Sequence, residues 1–313
     1  MRVALFGSGW MQQLHSRAVF ERPDAQLVAV ANHREESASK LAETFGIPRV
    51  TTDWQALARD PEIDAAVVAT PNALHAPQAI ELLRHGKHVL VEKPMAMSVS
   101  ECDAMLDAAN TSGAFLMVAH CWRFREEVIA MRERIDAGEL GTVVSTRGYG
   151  VHAGWGPSGW FTDPALAGGG ALVDMGVHAI DTARFLLGDP GPMRVVATVA
   201  TRYGDYDVDD DAHLLISWSN GVTSEVQAGW WWPYLPGLEA DTEVLGTGGY
   251  ARIWDPVPPS EDYEHCTQPM YSAQMDAFLD GIAQGWAPRP NGEDGRIVMR
   301  IVEEAYRSAR ELA

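Results

Sequence analysis

The chain has only three cysteines in 313 residues: Cys102, Cys121 and Cys266. They are odd in number, widely scattered and form no CxxC pair. That excludes a disulfide framework or a cysteine zinc site and predicts reduced thiols in a cytoplasmic setting. Long apolar runs are missing as well. No stretch approaches 18 apolar residues, and the opening Met1–Phe6 runs straight into glycine, too short for a signal sequence. Positive charge is scarce: 24 Lys and Arg stand against 43 Asp and Glu, a formal net charge of −19. This argues against nucleic acid or an anionic membrane as a partner. Any phosphate must therefore be held by a local device. Internal repeats and low-complexity segments are also lacking, so the expectation is a soluble, intracellular chain long enough for two domains.

Such a device is present at the start. Arg2–Phe6 reads as a buried strand feeding Gly7-Ser8-Gly9, and a helix follows from Trp10 to about Glu21. Strand, glycine turn and helix together let backbone N–H groups and a helix N-terminus hold a pyrophosphate. Gln12 replaces the third glycine of G-x-G-x-x-G, so a plain glycine turn is the competing reading of this segment alone. The context favours the nucleotide. Strands at Leu27–Ala31, Ala65–Ala69 and Val89–Val91 alternate with helices at about 35–45 and 74–85, the pattern of a parallel, doubly wound sheet with its ligand at the C-terminal strand ends. The second strand ends in Asn32-His33-Arg34, where a carboxylate would mark the ribose 2′-hydroxyl of NAD. An amide and a guanidinium suit a 2′-phosphate instead, so NADP is expected, with NAD the alternative and a solvated helix start the bland account of Arg34.

Two further segments carry chemistry. Glu92-Lys93-Pro94 ends a strand, and a cis bond, cheap only before proline, would turn the chain sharply there and present Lys93 to the cleft. A solvated cap is the other reading of that lysine. Farther on, Gly168-Gly169-Gly170 opens an apolar helix that runs to about Leu187 and places Asp174, His178 and Asp181 on one stripe. An imidazole one turn from a carboxylate is either an oriented acid–base pair or an ordinary wet face.

In this order and spacing, Gly7-Ser8-Gly9 with His15, Thr70-Pro71-Asn72 with His75, Glu92-Lys93-Pro94, and Gly169-Gly170 with Asp174 and His178 resemble the Gfo/Idh/MocA oxidoreductases. The resemblance extends through Val208-Asp209-Asp210, Gly246-Thr247-Gly248-Gly249 and Gly292-Glu293-Asp294-Gly295. It implies an α/β chain with an N-terminal Rossmann domain over 1–121. A C-terminal α/β domain with an open, mostly antiparallel sheet spans 122–313, and the last helix (about 292–312) packs back on the first domain. It also implies a homodimer or homotetramer built through that sheet. The implied catalytic residues are Lys93, Asp174 and His178. The implied cofactor contacts are Gly7, Gly9, Trp10, Met11, Asn32, His33, Arg34, Thr70, Pro71, Asn72, His75, Glu92 and Lys93. Three positions depart from the family pattern: Gln12, Asn32, and Trp160-Phe161-Thr162-Asp163, which lacks the arginine of a Trp-Arg-x-Asp segment.

The second half supports an antiparallel sheet on its own evidence. Glu126–Ala137 reads as an amphipathic helix. Strand-like runs follow at Thr142–Tyr149, Arg194–Arg202, Ala212–Trp218, Val222–Trp230 and Thr242–Leu245, with Asn220-Gly221 a hairpin signal. Asp205–Asp211 has the look of a calcium loop but lacks the sixth-position glycine and twelfth-position glutamate, so no metal is expected and a charged strand entrance is the better account. Tryptophan is abundant, 11 in all. Trp155, Trp160 and Trp232, with His120 and Arg123, are candidate substrate contacts; Trp231, facing opposite its neighbours in a continuing strand, serves either a ligand or an intersubunit interface.

The expected reaction is hydride exchange between a nicotinamide and a secondary alcohol or ketone of a sugar or cyclitol, with the Lys93 ammonium and the His178 imidazole converging on one ligand oxygen. An enzyme that recycles its bound nucleotide in glycoside cleavage and a non-enzymatic nucleotide sensor are the alternatives.

Overall fold

Continuous apolar runs become buried strands on the side of the chain that opens it. The computed structural model describes residues 1–233, 240–253 and 263–312. In β1 (Arg2–Phe6) the last four residues are buried, as a strand covered on both faces requires. There follow α1 (Trp10–Phe20), β2 (Gln26–Ala31), α2 (Glu35–Phe45), β3 (Val50–Thr51), α3 (Trp54–Ala58), β4 (Ala65–Val68), α4 (His75–Arg84), β5 (His88–Glu92), α5 (Val99–Ser112) and β6 (Leu116–Ala119). The six strands form one parallel sheet in the order β3-β2-β1-β4-β5-β6, the doubly wound arrangement. The order reverses beside β1, so ligands of such a sheet bind at the C-terminal ends of β1 and its neighbours. Sequence patterning locates most of these elements within a residue or two. It passes over β3, α3, β6 and α5; the buried side of α5 comprises Cys102, Met105, Ala108 and Ala109, too small and mixed to stand out as an apolar stripe.

The second half begins with α6 (Glu126–Asp136), β7 (Val143–Ala153) and the single turn α7 (Pro164–Ala167). It continues through α8 (Val177–Leu186), β8 (Pro192–Ala200), β9 (Asp211–Trp218), β10 (Thr223–Trp232), β11 (Ala240–Gly246) and β12 (Tyr250–Arg252). The sheet order is β12-β11-β7-β10-β9-β8. All its pairings are antiparallel except β7 with β10. Asn220-Gly221 makes the β9–β10 hairpin, with Gly221 at φ 84°. One face of the sheet carries α8; a core of Val128, Met131, Leu140, Leu186, Val244 and Ala251 joins α6, α8 and β11. Two long helices close the chain, α9 (Tyr263–Gln284) and α10 (Gly292–Leu312).

By compactness the chain divides into two units, Met1–Cys121 with Glu264–Arg296, and Trp122–Tyr263 with Ile297–Ala313. The first boundary falls after Cys121, and the stretch Glu264–Arg296 groups with the opening unit. Cys102 and Cys121 are free and buried; the Cys266 side chain lies outside the described residues. Among the described residues no helix is long and apolar enough to cross a membrane, and no cluster of His, Cys, Asp or Glu could hold a metal ion.

Candidate active site

In the first unit the turn after β1 is shaped by close approach. Gly7 has φ 103°, and a Cβ there would lie 2.3 Å from the Ala69 carbonyl oxygen at the end of β4. Only glycine meets both demands. Gly9 is different: among the described residues nothing lies within 4 Å of where its Cβ would be, and no side chain caps α1. The first turn of that helix thus presents backbone N–H groups over open space, the setting that suits a pyrophosphate. Between the two glycines, Ser8 Oγ accepts a hydrogen bond from Asn32 Nδ2, so the residue that replaces the usual carboxylate also braces the turn. His33 and Arg34 are exposed. Gln12, in place of the third glycine, is fully buried, and among the described residues neither its Nε2 nor its Oε1 has a hydrogen-bond partner. Trp10 is 42% exposed, whereas Met11 Sδ accepts from the Tyr271 hydroxyl at 3.2 Å. These residues fit a dinucleotide.

Two histidines brace the end of β5: His75 ties it to the end of β4, and His15 ties it to α1. The two ring nitrogens of His75 lie 2.8 Å from the Pro94 and Thr70 carbonyl oxygens, and burial pushes its pKa below the ordinary imidazole value. Thr70 Oγ1 donates to Gln78 Oε1, and Asn72 is buried within the turn that leads to α4. His15 Nε2 lies 2.8 Å from Glu92 Oε1, while Glu92 Oε2 accepts the Lys93 backbone N–H at 3.0 Å. Burial raises the Glu92 carboxyl, but the His15 bond and the neighbouring Lys93 charge outweigh it and hold the group below the usual carboxylate range. The Lys93–Pro94 bond is cis. Lys93 therefore leaves β5 from a braced backbone. His120, just past β6, is buried.

In the second unit the Asp/His segment is organised by a carboxylate 35 residues away. Asp209 Oδ1 accepts from the Gly170 N–H and Oδ2 from the Leu172 N–H, both at 2.8 Å, capping the helix start. The Tyr306 hydroxyl adds a third bond at 2.5 Å. Burial pushes Asp209 up despite these donors. The next turn is not α-helical: Leu172–Gly176 form a single π-helical turn, and α8 begins only at Val177. Such turns carry an extra residue and often occur at functional sites. The three residues expected on one stripe, Asp174, His178 and Asp181, each meet different partners.

Asp174 Oδ2 accepts from Trp230 Nε1 at 3.1 Å and lies 3.3 Å from His152 Nε2. His178 lies flat on Trp122, ring centroids 4.2 Å apart at 14°. Asp181 is held by Arg123 through two bonds, from Nε at 2.6 Å and Nη2 at 2.7 Å. That guanidinium also lies 3.1 Å from Asp189 and over the Phe185 ring. Arg123, expected at the substrate, is thus occupied in a buried ion pair. Sequence patterning does not single out Trp122 or His152, and it reads Trp230 only as part of the Trp230-Trp231-Trp232 run. A histidine at the end of a strand carries no signal until its partner, 22 residues on, is known.

The tryptophans divide. Trp155 stacks on His152 at 3.7 Å and is 45% exposed. Trp160 stacks on Phe161 at 3.9 Å, in a short turn of its own. Trp232 does not share the Asp174 side of the sheet. Its indole occupies the space a Gly229 side chain would fill and lies near His213, and Gly229 faces opposite to Trp230. The alternation expected through Trp230-Trp231-Trp232 fails because the β7–β10 register shifts between Gly229 and Trp232, with Trp231 at φ 65°. Asp210 likewise is more than a charged strand entrance. It accepts backbone N–H bonds from Arg202, Tyr203 and Gly204 and the Tyr206 hydroxyl, closing the 202–210 loop.

Residues 1–120 match the model of the oxidoreductase family with an NAD-binding Rossmann fold, and residues 128–252 match the GFO/IDH/MocA C-terminal domain. The chain is 30% identical to the scyllo-inositol 2-dehydrogenase (NAD(+)) of Bacillus subtilis, over 99% of this chain and 94% of that one. It is 30% identical to D-xylose 1-dehydrogenase (NADP(+)) 2 of Haloferax volcanii, over 91% and 90%. Among solved structures, GenD2 from gentamicin A biosynthesis in complex with NAD superposes with a TM-score of 0.90 at 29% identity, covering 100% of this chain and 95% of that one. Rossmann sheet, second mixed sheet, and matched sequence over both halves lead to one assignment: the chain belongs to the Gfo/Idh/MocA family of NAD(P)-binding oxidoreductases, enzymes that act on CH–OH groups.

Proposed function

We propose that this enzyme oxidises a secondary alcohol of a sugar or cyclitol, or reduces the corresponding ketone, with NADP as cofactor and NAD as the alternative. The substrate class follows the inositol and xylose named in its relatives. The residues assigned to the cofactor are Gly7, Gly9, Trp10 and Met11 at the pyrophosphate, Asn32, His33 and Arg34 at the adenosine ribose, and Thr70–Asn72, His75 and Glu92 along the strand ends. Bound there, the nicotinamide supplies the two-electron hydride chemistry. In oxidation His178 takes the hydroxyl proton as the carbon is oxidised, its imidazole being suited to proton transfer near neutrality. Asp174 stabilises the resulting imidazolium. Lys93 stabilises developing alkoxide charge, a role in which one donor is worth roughly 10²–10³ in rate.

The observation that carries this reading is the treatment of Asp174: a buried carboxylate gripped by an indole N–H and an imidazole, one helical turn from a histidine laid flat on tryptophan. The test is a panel of sugars, inositols and keto-sugars followed at 340 nm with NADP and NAD separately. Turnover is expected with NADP, and Lys93→Met and His178→Ala should each lower it by roughly 10²–10³. Losses within threefold for either variant would remove these roles. Accumulation of NADPH in step with product separates a dehydrogenase from an enzyme that recycles its nucleotide.

The face of the second sheet opposite α8 is assigned to association between copies, as a homodimer or homotetramer. It exposes Leu215 on β9. Light scattering of the purified chain tests this.

A further inference from the structure

Trp155 lies just beyond β7, and its position is unusual for so exposed an aromatic. One face of the indole covers the buried His152 ring, centroids 3.7 Å apart at 29°. His152 Nε2 is in turn 3.3 Å from Asp174 Oδ2. The stack therefore has a closed inner end at Asp174 and an open outer end at the indole, which is 45% exposed.

The loop that presents it is braced across the sheet. The Trp231 N–H donates to the Trp155 carbonyl at 2.8 Å, and the Gly154 N–H to the Trp232 carbonyl at 3.0 Å. The Trp231 ring fills the space beside Gly156 so closely that a Cβ there would meet its Nε1 at 2.4 Å. Trp231 holds this position at φ 65°, a conformation that a bulky residue rarely adopts. Strain of this kind persists where the surroundings over-determine it, and the braced loop leaves the Trp155 indole facing solvent.

A flat aromatic surface of this sort suits the C–H face of a pyranose ring. A ring stacked on the outer side of Trp155 stands two stacking distances from the imidazole, beyond hydrogen-bond reach of Asp174. The indole and the imidazole fill that interval, so a reacting ring is carried past the edge of the stack by a second sugar unit, to which it is joined by a glycosidic bond. We infer that Trp155 forms a subsite for a second sugar ring, so that the substrate is a glycoside of at least two rings, with the reacting ring at Asp174 and its neighbour on the indole. This rests on the sugar dehydrogenase reading above and narrows it.

The test pairs each monosaccharide with its disaccharides, glucose with maltose, cellobiose and trehalose for example, and compares kcat/KM within each pair. The wild-type enzyme should favour one disaccharide at least tenfold, about 1.4 kcal/mol, chiefly through KM. Trp155→Ala should reduce that ratio to near one, whatever loss the two sugars share. Trp231→Gly, which keeps the backbone bonds to the loop but removes the ring packed beside Gly156, should lower the ratio by a smaller factor. Wild-type ratios near one in every pair, or a ratio unchanged in Trp155→Ala, would overturn the subsite while monosaccharide turnover upholds the dehydrogenase. No turnover of any sugar, single or linked, would overturn both.

Discussion

His15 Nε2 and Glu92 Oε1, 77 residues apart in sequence, lie 2.8 Å from one another with both side chains buried. The pair fixes α1, which opens on the glycine turn, to the end of β5, where Lys93 begins. Glu92 is held below the ordinary carboxyl value of 4.5. A depressed folded pKa means that ionised Glu92 adds stability above that value, and that the gain is lost as pH falls below it. Glu92→Gln should therefore cost about 1.5–3 kcal/mol at pH 7, the range for a hydrogen bond to a charged group. The deficit relative to wild type should shrink as urea midpoints are measured from pH 6 down to pH 3. A deficit independent of pH would mean that the charge of Glu92 contributes nothing.

The two glycines of the first turn separate folding from cofactor binding. Gly7→Ala meets the Ala69 carbonyl and a positive φ, so it should lower thermal stability by about 1–3 kcal/mol. Gly9→Ala meets no atom of the described residues within 4 Å and keeps an ordinary φ of −74°. It should melt within a degree or two of wild type yet raise the KM for NADP at least tenfold, because the methyl group projects into the space assigned to the pyrophosphate. A Gly9→Ala enzyme with normal cofactor affinity would place the phosphates elsewhere.

Patterning reads the first unit well because its information is local. Buried parallel strands are short apolar runs, and Gly7, Asn32 and Lys93 sit where those runs stop. The same reasoning weakens in the second unit for reasons that are physical. Asp209 caps a helix start 37 to 39 residues before it, and Arg123 finds Asp181 at a separation of 58; neither partnership leaves a periodic trace. The π-helical turn at 172–176 adds one residue to a turn, which a regular helical count over Asp174, His178 and Asp181 does not foresee. One bulge beside Trp231 reverses the face on which Trp232 lies. Each is a one-residue change of phase, which a count of apolar positions averages away.

Cofactor choice turns on Arg34 and Asn32. Arg34 is exposed and is the cation nearest in sequence to the end of β2, so Arg34→Ala should lower kcat/KM for NADP by tenfold or more and leave NAD within about twofold. Asn32→Asp should act in the same direction by placing a negative charge against the 2′-phosphate and an acceptor against a ribose hydroxyl. Side-by-side kinetics with the two nucleotides check both. Equal losses for NADP and NAD in Arg34→Ala would remove the 2′-phosphate assignment.

Arg123 was a candidate to touch substrate, and its pairing with Asp181 gives it a different expected signature. Both side chains are buried, and two hydrogen bonds of 2.6 and 2.7 Å join them in the fork geometry that only arginine supplies. Removing one member strands the other's charge in the interior, which costs about 3–5 kcal/mol. Arg123→Ala should therefore shift the urea midpoint strongly. Arg123→Lys, which keeps charge but loses the fork, should fall between the two. Asp181→Asn should weaken the fold without raising KM in the molecules that remain folded, since Asp181 faces Arg123. A substrate contact predicts the reverse: a melting temperature close to wild type with KM raised at least tenfold. The contrast between stability and KM in these three variants decides whether Arg123 is part of the frame or part of the site.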